Sequence, residues 1–170
     1  MRTNSRYTRL FLGALLLSVM ACTGNTVDDG DSADVILEVL TTTVPPIAAA
    51  RNVGVCSVFT ITNSTVTLNN KPKSVLVGTS PLNDIIVNGV TITYTWDDGF
   101  STLPNSFSLG AAVPSGGAGT VTFPPIEGGD LSPSRAGHSA SMFMLFNGHT
   151  VSGEPVTATG GGVLLVNSCI

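Results

Sequence analysis

Residues Val90 to Trp96 constrain the fold more than any other stretch. Val90, Ile92, Tyr94 and Trp96 alternate without a slip with Thr91, Thr93 and Thr95. Period two over seven residues puts every large side chain on one face, which a strand does and a helix does not. β-branched and aromatic residues suit a pleated, half-buried surface. Trp96 and Tyr94 share the face that must be buried, so they are expected in a core, where both rings contribute large apolar area.

The rest of the chain repeats this signal in shorter pieces. Val35 to Thr43 reads as a strand ended by Pro45-Pro46. Val55 to Ile61 and Thr65 to Leu68 follow around Asn63-Ser64, and Asn69-Asn70-Lys71-Pro72 is expected to break the chain before a short strand at Ser74 to Gly78. Asn88-Gly89 reads as either a hairpin turn or a bulge. Further strands are expected at Ser106 to Leu109 and Thr120 to Phe123, with a Gly/Pro/Ser loop over 126–137. Ala140 to Phe146 is apolar on both faces except Ser141, which predicts a central strand. Asn147-Gly148 is then expected to turn, and Val156 to Thr159 and Val163 to Val166 to pair around Gly160-Gly161-Gly162. No stretch beyond the N-terminus has sustained helical periodicity. Short strands punctuated by turn signals predict an all-β sandwich of about seven to nine strands.

The first 21 residues have a different character. Arg2, Arg6 and Arg9 precede an apolar run from Leu10 to Met20, and Ala21 is a small residue before Cys22. This is the three-part layout of a secretory signal. The run is about half of the roughly 20 residues that a membrane-spanning helix needs. Val19-Met20-Ala21-Cys22 resembles a lipobox, the motif at which bacterial lipoproteins are lipidated on cysteine and cut. An ordinary signal peptide cut after Ala21 would leave Cys22 as a plain thiol. The resemblance implies several acyl chains on Cys22, enough for a stable anchor. It also implies sorting to the outer membrane, because Thr23 is not the aspartate that retains such proteins at the inner one. Residues 22–33 are small, polar and acidic, and read as a flexible tether. Asp28, Asp29, Asp31 and Asp34 lack the spacing and distal glutamate of a calcium loop. Residues 34–170 form the expected domain.

Without the leader, Arg51, Lys71, Lys73 and Arg135 face eleven acids, a net charge of −7. That balance argues against nucleic acid and against electrostatic binding to anionic lipid. If Cys22 carries lipid, Cys56 and Cys169 remain, and export makes a disulfide between them chemically reasonable. It would close a loop of over 100 residues and add about 4–5 kcal/mol on the chain-entropy view. Two separate buried thiols are the alternative.

Asp84 to Gly99 (DIIVNGVTITYTWDDG) and Met142 to Val166 (MFMLFNGHTVSGEPVTATGGGVLLV) resemble segments of small uncharacterised bacterial envelope lipoproteins. That resemblance implies an immunoglobulin-like or fibronectin type III-like β-sandwich and no particular chemistry. The ending Asn167-Ser168-Cys169-Ile170 departs from the acidic-aromatic tails of that group.

Chemistry-bearing residues are few. His138 and His149 flank the expected strand 140–147, roughly 30 Å or more apart at strand rise, too far for one metal. Asp97 and Asp98 are the best acidic pair, but adjacent residues at a strand end usually point apart and cap a turn. There is no Gly-x-Ser-x-Gly elbow, and Ser115-Gly116-Gly117-Ala118-Gly119 lacks the lysine and helix of a phosphate loop. Asn63-Ser64-Thr65 matches a glycosylation sequon by chance in such a chain. Phe100, beyond the turn, is the aromatic expected at the surface.

The chain therefore reads as a non-enzymatic structural or protein-interaction module with no cofactor and no metal. Its expected partners are a membrane, through the Cys22 lipid, and another envelope protein. The alternative is a carbohydrate or small-ligand binder using loops 97–105 and 124–138, with Asp97, Asp98 and Phe100 facing the ligand.

Overall fold

The computed structural model describes residues 33–74 and 78–169. The leader, Cys22 and all but the last residue of the tether lie outside the described residues, as does the centre of the strand expected at Ser74 to Gly78. The described residues hold nine strands: β1 (Val35–Thr43), β2 (Ala48–Asn52), β3 (Val55–Thr60), β4 (Ser64–Pro72), β5 (Ile85–Trp96), β6 (Asn105–Val113), β7 (Ala118–Phe123), β8 (Ser139–Thr150) and β9 (Pro155–Leu165). Three short 3-10 turns, Pro81–Asn83, Gly128–Asp130 and Pro133–Arg135, lie in the connections.

Alternation drives the architecture. Val90, Ile92, Tyr94 and Trp96 of β5 face inward with Met142, Met144 and Phe146 of β8, and Val66, Leu68, Val121 and Phe123 meet them from the opposing layer. Phe123 packs against Phe107 and Phe146 with ring centroids 6.3 and 6.0 Å apart. The layers are a three-stranded sheet ordered β1-β4-β7 and a four-stranded sheet ordered β6-β5-β8-β9, both antiparallel. The expected all-β sandwich is what forms.

Strands β2 and β3 make a separate two-stranded hairpin. Its base is held by Ile47, whose amide donates to Leu165 O at 2.8 Å and whose carbonyl accepts from Asn167 N at 2.9 Å. Cys56 of β3 is bonded to Cys169, with Cα atoms 5.8 Å apart and a sequence separation of 113. The hairpin is thus fastened to the end of the sandwich where β1, β5, β7 and β9 finish. The chain enters β1 at Val35 at the other end, beside Pro72 of β4.

Three expected breaks are strand interior instead. β4 runs through Asn69-Asn70-Lys71, because buried Asn70 donates from Nδ2 to Asn83 O at 2.7 Å and Val113 O at 3.2 Å and so joins the two sheets. Asn88-Gly89 is the bulge rather than the turn. Asn147-Gly148 does not turn: β8 continues to Thr150, and the turn forms at 151–154. A Cβ on Gly148 would lie 2.5 Å from Ile86 O, so glycine there permits close approach of β5. The Gly160–Gly162 run is likewise inside one continuous β9. A Cβ on Gly162 would lie 2.9 Å from Val44 Cγ2, so these glycines let the β1 edge settle on β9. β8 is central, as its apolar run predicts, but Phe143 and Leu145 remain exposed because nothing covers the outer face of its sheet among the described residues.

Candidate functional site

The end of the sandwich beyond β5 gathers the residues singled out from the sequence. Trp96 closes β5 on the buried face. The chain then turns through Asp97-Asp98-Gly99, with Gly99 N donating to Trp96 O at 3.2 Å. Asp98 Oδ1 accepts from Phe100 N at 3.1 Å, the local aspartate-to-backbone bond that favours such turns.

The 3-10 turn Pro133–Arg135 delivers Arg135 to this turn from the opposite loop. Its Nη1 donates to Asp98 Oδ1 at 3.1 Å and its Nη2 to Asp98 Oδ2 at 2.9 Å, a two-pronged match of guanidinium to carboxylate. The guanidinium carbon lies 4.1 Å from the Phe100 ring centroid and 5.2 Å from that of Trp96. Cation-π attraction and stem packing therefore bury a side chain only 5% exposed. Arg135 belongs to no motif; the signal in the sequence is that it is the only lysine or arginine after Lys73. The Arg135 bonds, then the Phe100 amide, hold the Asp98 carboxyl at about 2, below its ordinary 3.8.

Asp97 points the other way. Its Oδ1 accepts from His138 Nδ1 at 2.8 Å, and its Oδ2 accepts from Ser139 N at 2.9 Å and Ser139 Oγ at 3.0 Å. The His138 bond first, and the Ser139 amide second, lower its carboxyl from the usual value. His138 is thus a paired histidine, whereas His149 meets Asn88 near the far end of β8. Asp97, Asp98 and His138 each offer one ligand atom within 4.8 Å of the others, the spacing of a three-ligand cation site. Arg135 already occupies both oxygens of Asp98, and Asp97 already takes three donors. A cation would have to displace the His138 bond and sit beside a guanidinium.

A second polar cluster ties the same two loops together. The Tyr94 hydroxyl lies 2.7 Å from Asn105 Oδ1 and 2.8 Å from Pro125 O, sharing one proton between two acceptors. Asn105 Nδ2 donates to Asp130 Oδ2 at 2.7 Å, and Asn105 Oδ1 accepts from Glu127 N at 3.1 Å. Burial, reinforced by Asp130 and Glu127, pushes the Tyr94 phenol up, so it stays a neutral structural donor. Trp96 Nε1 donates to Thr102 Oγ1 at 3.2 Å. Loops 97–105 and 124–138 therefore meet, as a joint site requires, but their polar groups are paired with one another. Beside the His138–Asp97 pair, Ser139 Oγ donates to Asp97 rather than to the imidazole, so it is not activated as a nucleophile. A groove of about 440 Å³ lies elsewhere, between Ile36–Val39 of β1 and Thr157–Thr159 of β9.

The β2–β3 hairpin behaves in the opposite manner. Val53 and Gly54 form its two-residue turn with φ of 50° and 81°. Left-handed backbone is favoured at both positions of such a turn by Asn, Asp or Gly and is costly for a β-branched residue. Yet Val53 occupies it with 96% of its surface exposed, flanked by exposed Val55 and Val58. The disulfide at Cys56 fixes the strand pair one residue from this turn.

Compared with known proteins, the chain matches no family model and no curated protein sequence.

Proposed function

We propose that the chain is a lipid-anchored, immunoglobulin-like module of the bacterial envelope that binds another envelope protein through the tip of its β2–β3 hairpin. In this reading residues 1–21 are a cleaved signal, Cys22 carries the lipid, and Thr23 directs the protein to the outer membrane. The strand order supports the fold assignment. β1-β4-β7 facing β6-β5-β8-β9 corresponds to strands A-B-E facing C′-C-F-G, and Trp96 lies on the strand that would be C. The disulfide departs from that scheme, since it fastens an inserted hairpin instead of joining the sheets.

The observation that carries the functional reading is Val53. A strained, nearly fully exposed valine on a cross-linked hairpin is hard to account for by stability, and backbone strain of this kind concentrates at binding sites. The tip also lies at the end opposite to where the chain enters β1, so a tethered domain would present it away from the membrane. Ligand binding by loops 97–105 and 124–138 has less support, because Asp98 and Asn105 already hold internal partners.

The test places a photoreactive residue at Val53 of the full chain in cells, with Leu82, exposed on a different loop, as control. One discrete adduct from position 53 and none from 82 is expected. Equal adducts from both positions, or none from 53, would contradict the reading. The anchor has its own test: Cys22→Ser should release the protein from the membrane fraction, and retention of the variant would remove the lipid from the account.

A further inference from the structure

The four strands of the β6-β5-β8-β9 sheet contain no Asp, Glu, Lys or Arg, in a chain that has eleven acids and seven bases. Among the described residues every Asp, Glu, Lys and Arg sits in the other elements or in the connections. The outer face of this sheet is uncovered among the described residues and carries an apolar diagonal: Leu145 and Phe143 on β8, then Val163 and Leu165 on β9, exposed by 41, 54, 62 and 47%. The register makes the diagonal continuous. Phe143 stands opposite Gly161, so its ring has no taller neighbour there, and Ser141 stands opposite Val163. On the other side Thr91, Thr93 and Thr95 of β5 pair with Leu145, Phe143 and Ser141. These hydroxyls are partly satisfied in place: Thr91 Oγ1 lies 3.1 Å from Ser106 Oγ. Covering this face therefore strands few polar groups.

We propose that this face is an isologous dimer interface, and that its occupant is the same face of a second copy of this chain. Two arguments on the surface itself select that occupant. The first is charge. A charged partner would lose its hydration against this face and find no counter-charge, whereas a neutral, hydroxyl-edged apolar face meets its own equivalent without penalty. The described acidic residues of each copy, which would repel, lie outside the four strands that make the contact. The second is area. Strands of up to 12 residues and four strands abreast span roughly 40 Å by 19 Å, or about 750 Å². A standard stable interface needs about 800 Å² per partner. A twofold axis along the strands brings both Val35 ends to the same side, which suits two chains leaving one membrane.

Sedimentation equilibrium of the purified full chain tests this. The wild type is expected to dimerise, and Phe143→Asp to weaken the dimer at least thirtyfold, the effect of losing a central contact. Val163→Glu should act in the same direction, and Leu82→Asp should have no effect. Because Phe143 and Val163 are more than half exposed, both variants should keep the wild-type thermal midpoint when compared at a concentration low enough for the wild type to be monomeric, which separates dissociation from unfolding. A photoreactive residue at Leu145 in cells should give an adduct of twice the chain mass. A wild type that is monomeric at every concentration, a folded Phe143→Asp variant that dimerises as tightly as wild type, or an adduct only with a protein of another mass would overturn the proposal.

Discussion

Two regions at the same end of this sandwich treat their side chains in opposite ways. Loops 97–105 and 124–138 turn their polar side chains on each other, while Phe100 and Leu103 stay exposed. Arg135 binds Asp98, Asn105 binds Asp130, and His138 binds Asp97. The β2–β3 hairpin directs Val53, Val55 and Val58 at solvent and holds the first in a left-handed conformation. The loops hold the residues that look chemical in the sequence, and the structure uses them as mortar. The hairpin consists of bland residues, yet Val53 at its tip is 96% exposed. On the proposed reading, what a side chain has left over after folding is a better guide to function than residue type alone.

The largest test of this contrast is the disulfide. Replacing Cys56 and Cys169 by serine should lower stability by about 4 kcal/mol on the chain-entropy estimate, measured by urea unfolding. Amide exchange over β2 and β3 should accelerate beyond that of the sandwich, because the bond fastens an otherwise isolated hairpin. Uniform acceleration would make the bond a clamp on the whole fold. Next comes Arg135→Met, which should cost about 2 kcal/mol through lost stacking on Trp96 and Phe100, with a shift in Trp96 fluorescence. An unchanged midpoint would mean that the loops are not held by this residue.

Acid sharpens the comparison further. The folded carboxyls of Asp98, at about 2, and of Asp97, also lowered, lie below the ordinary 3.8. A carboxyl depressed in the folded state stabilises it above pH 4, and that contribution disappears as pH falls through the folded value. Stability should therefore decline between about pH 4 and pH 2, and Asp98→Asn should flatten part of that decline. An identical pH slope in the variant would show that the Arg135 contact is not formed in solution. The smallest effect has the opposite sign. Val53→Asn supplies the residue that the turn prefers, so it should raise stability by about 1 kcal/mol.

Sequence reading reached the layers but not the joints. The alternation at Val90 to Trp96 sufficed to give β5 one buried face, because period two reports directly on burial, and the apolar run at Ala140 to Phe146 predicted the central position of β8. Glycine and asparagine misled at three places. Asn69-Asn70, Asn147-Gly148 and Gly160-Gly161-Gly162 carry turn composition but serve strand interiors, where a buried amide bridges two sheets or a missing Cβ admits a neighbouring chain. Those roles depend on what lies opposite, which one strand's sequence does not contain. β2 escaped notice for a related reason: Ala48–Asn52 has no alternation, and Val53-Gly54 is not the usual hairpin turn. The Cys56–Cys169 pair was legible from cysteine arithmetic together with the expectation of export. The Asp98–Arg135 pair required knowing that two distant loops meet.

One paired measurement on Val53→Asn bears most directly on the hairpin as the contact element: its thermal midpoint, and the yield of the in-cell adduct from a photoreactive residue at Val55. The account predicts a higher midpoint together with loss of the adduct, since the valine is retained for contact at the expense of stability. A variant that is more stable and still forms the adduct at wild-type yield would contradict it.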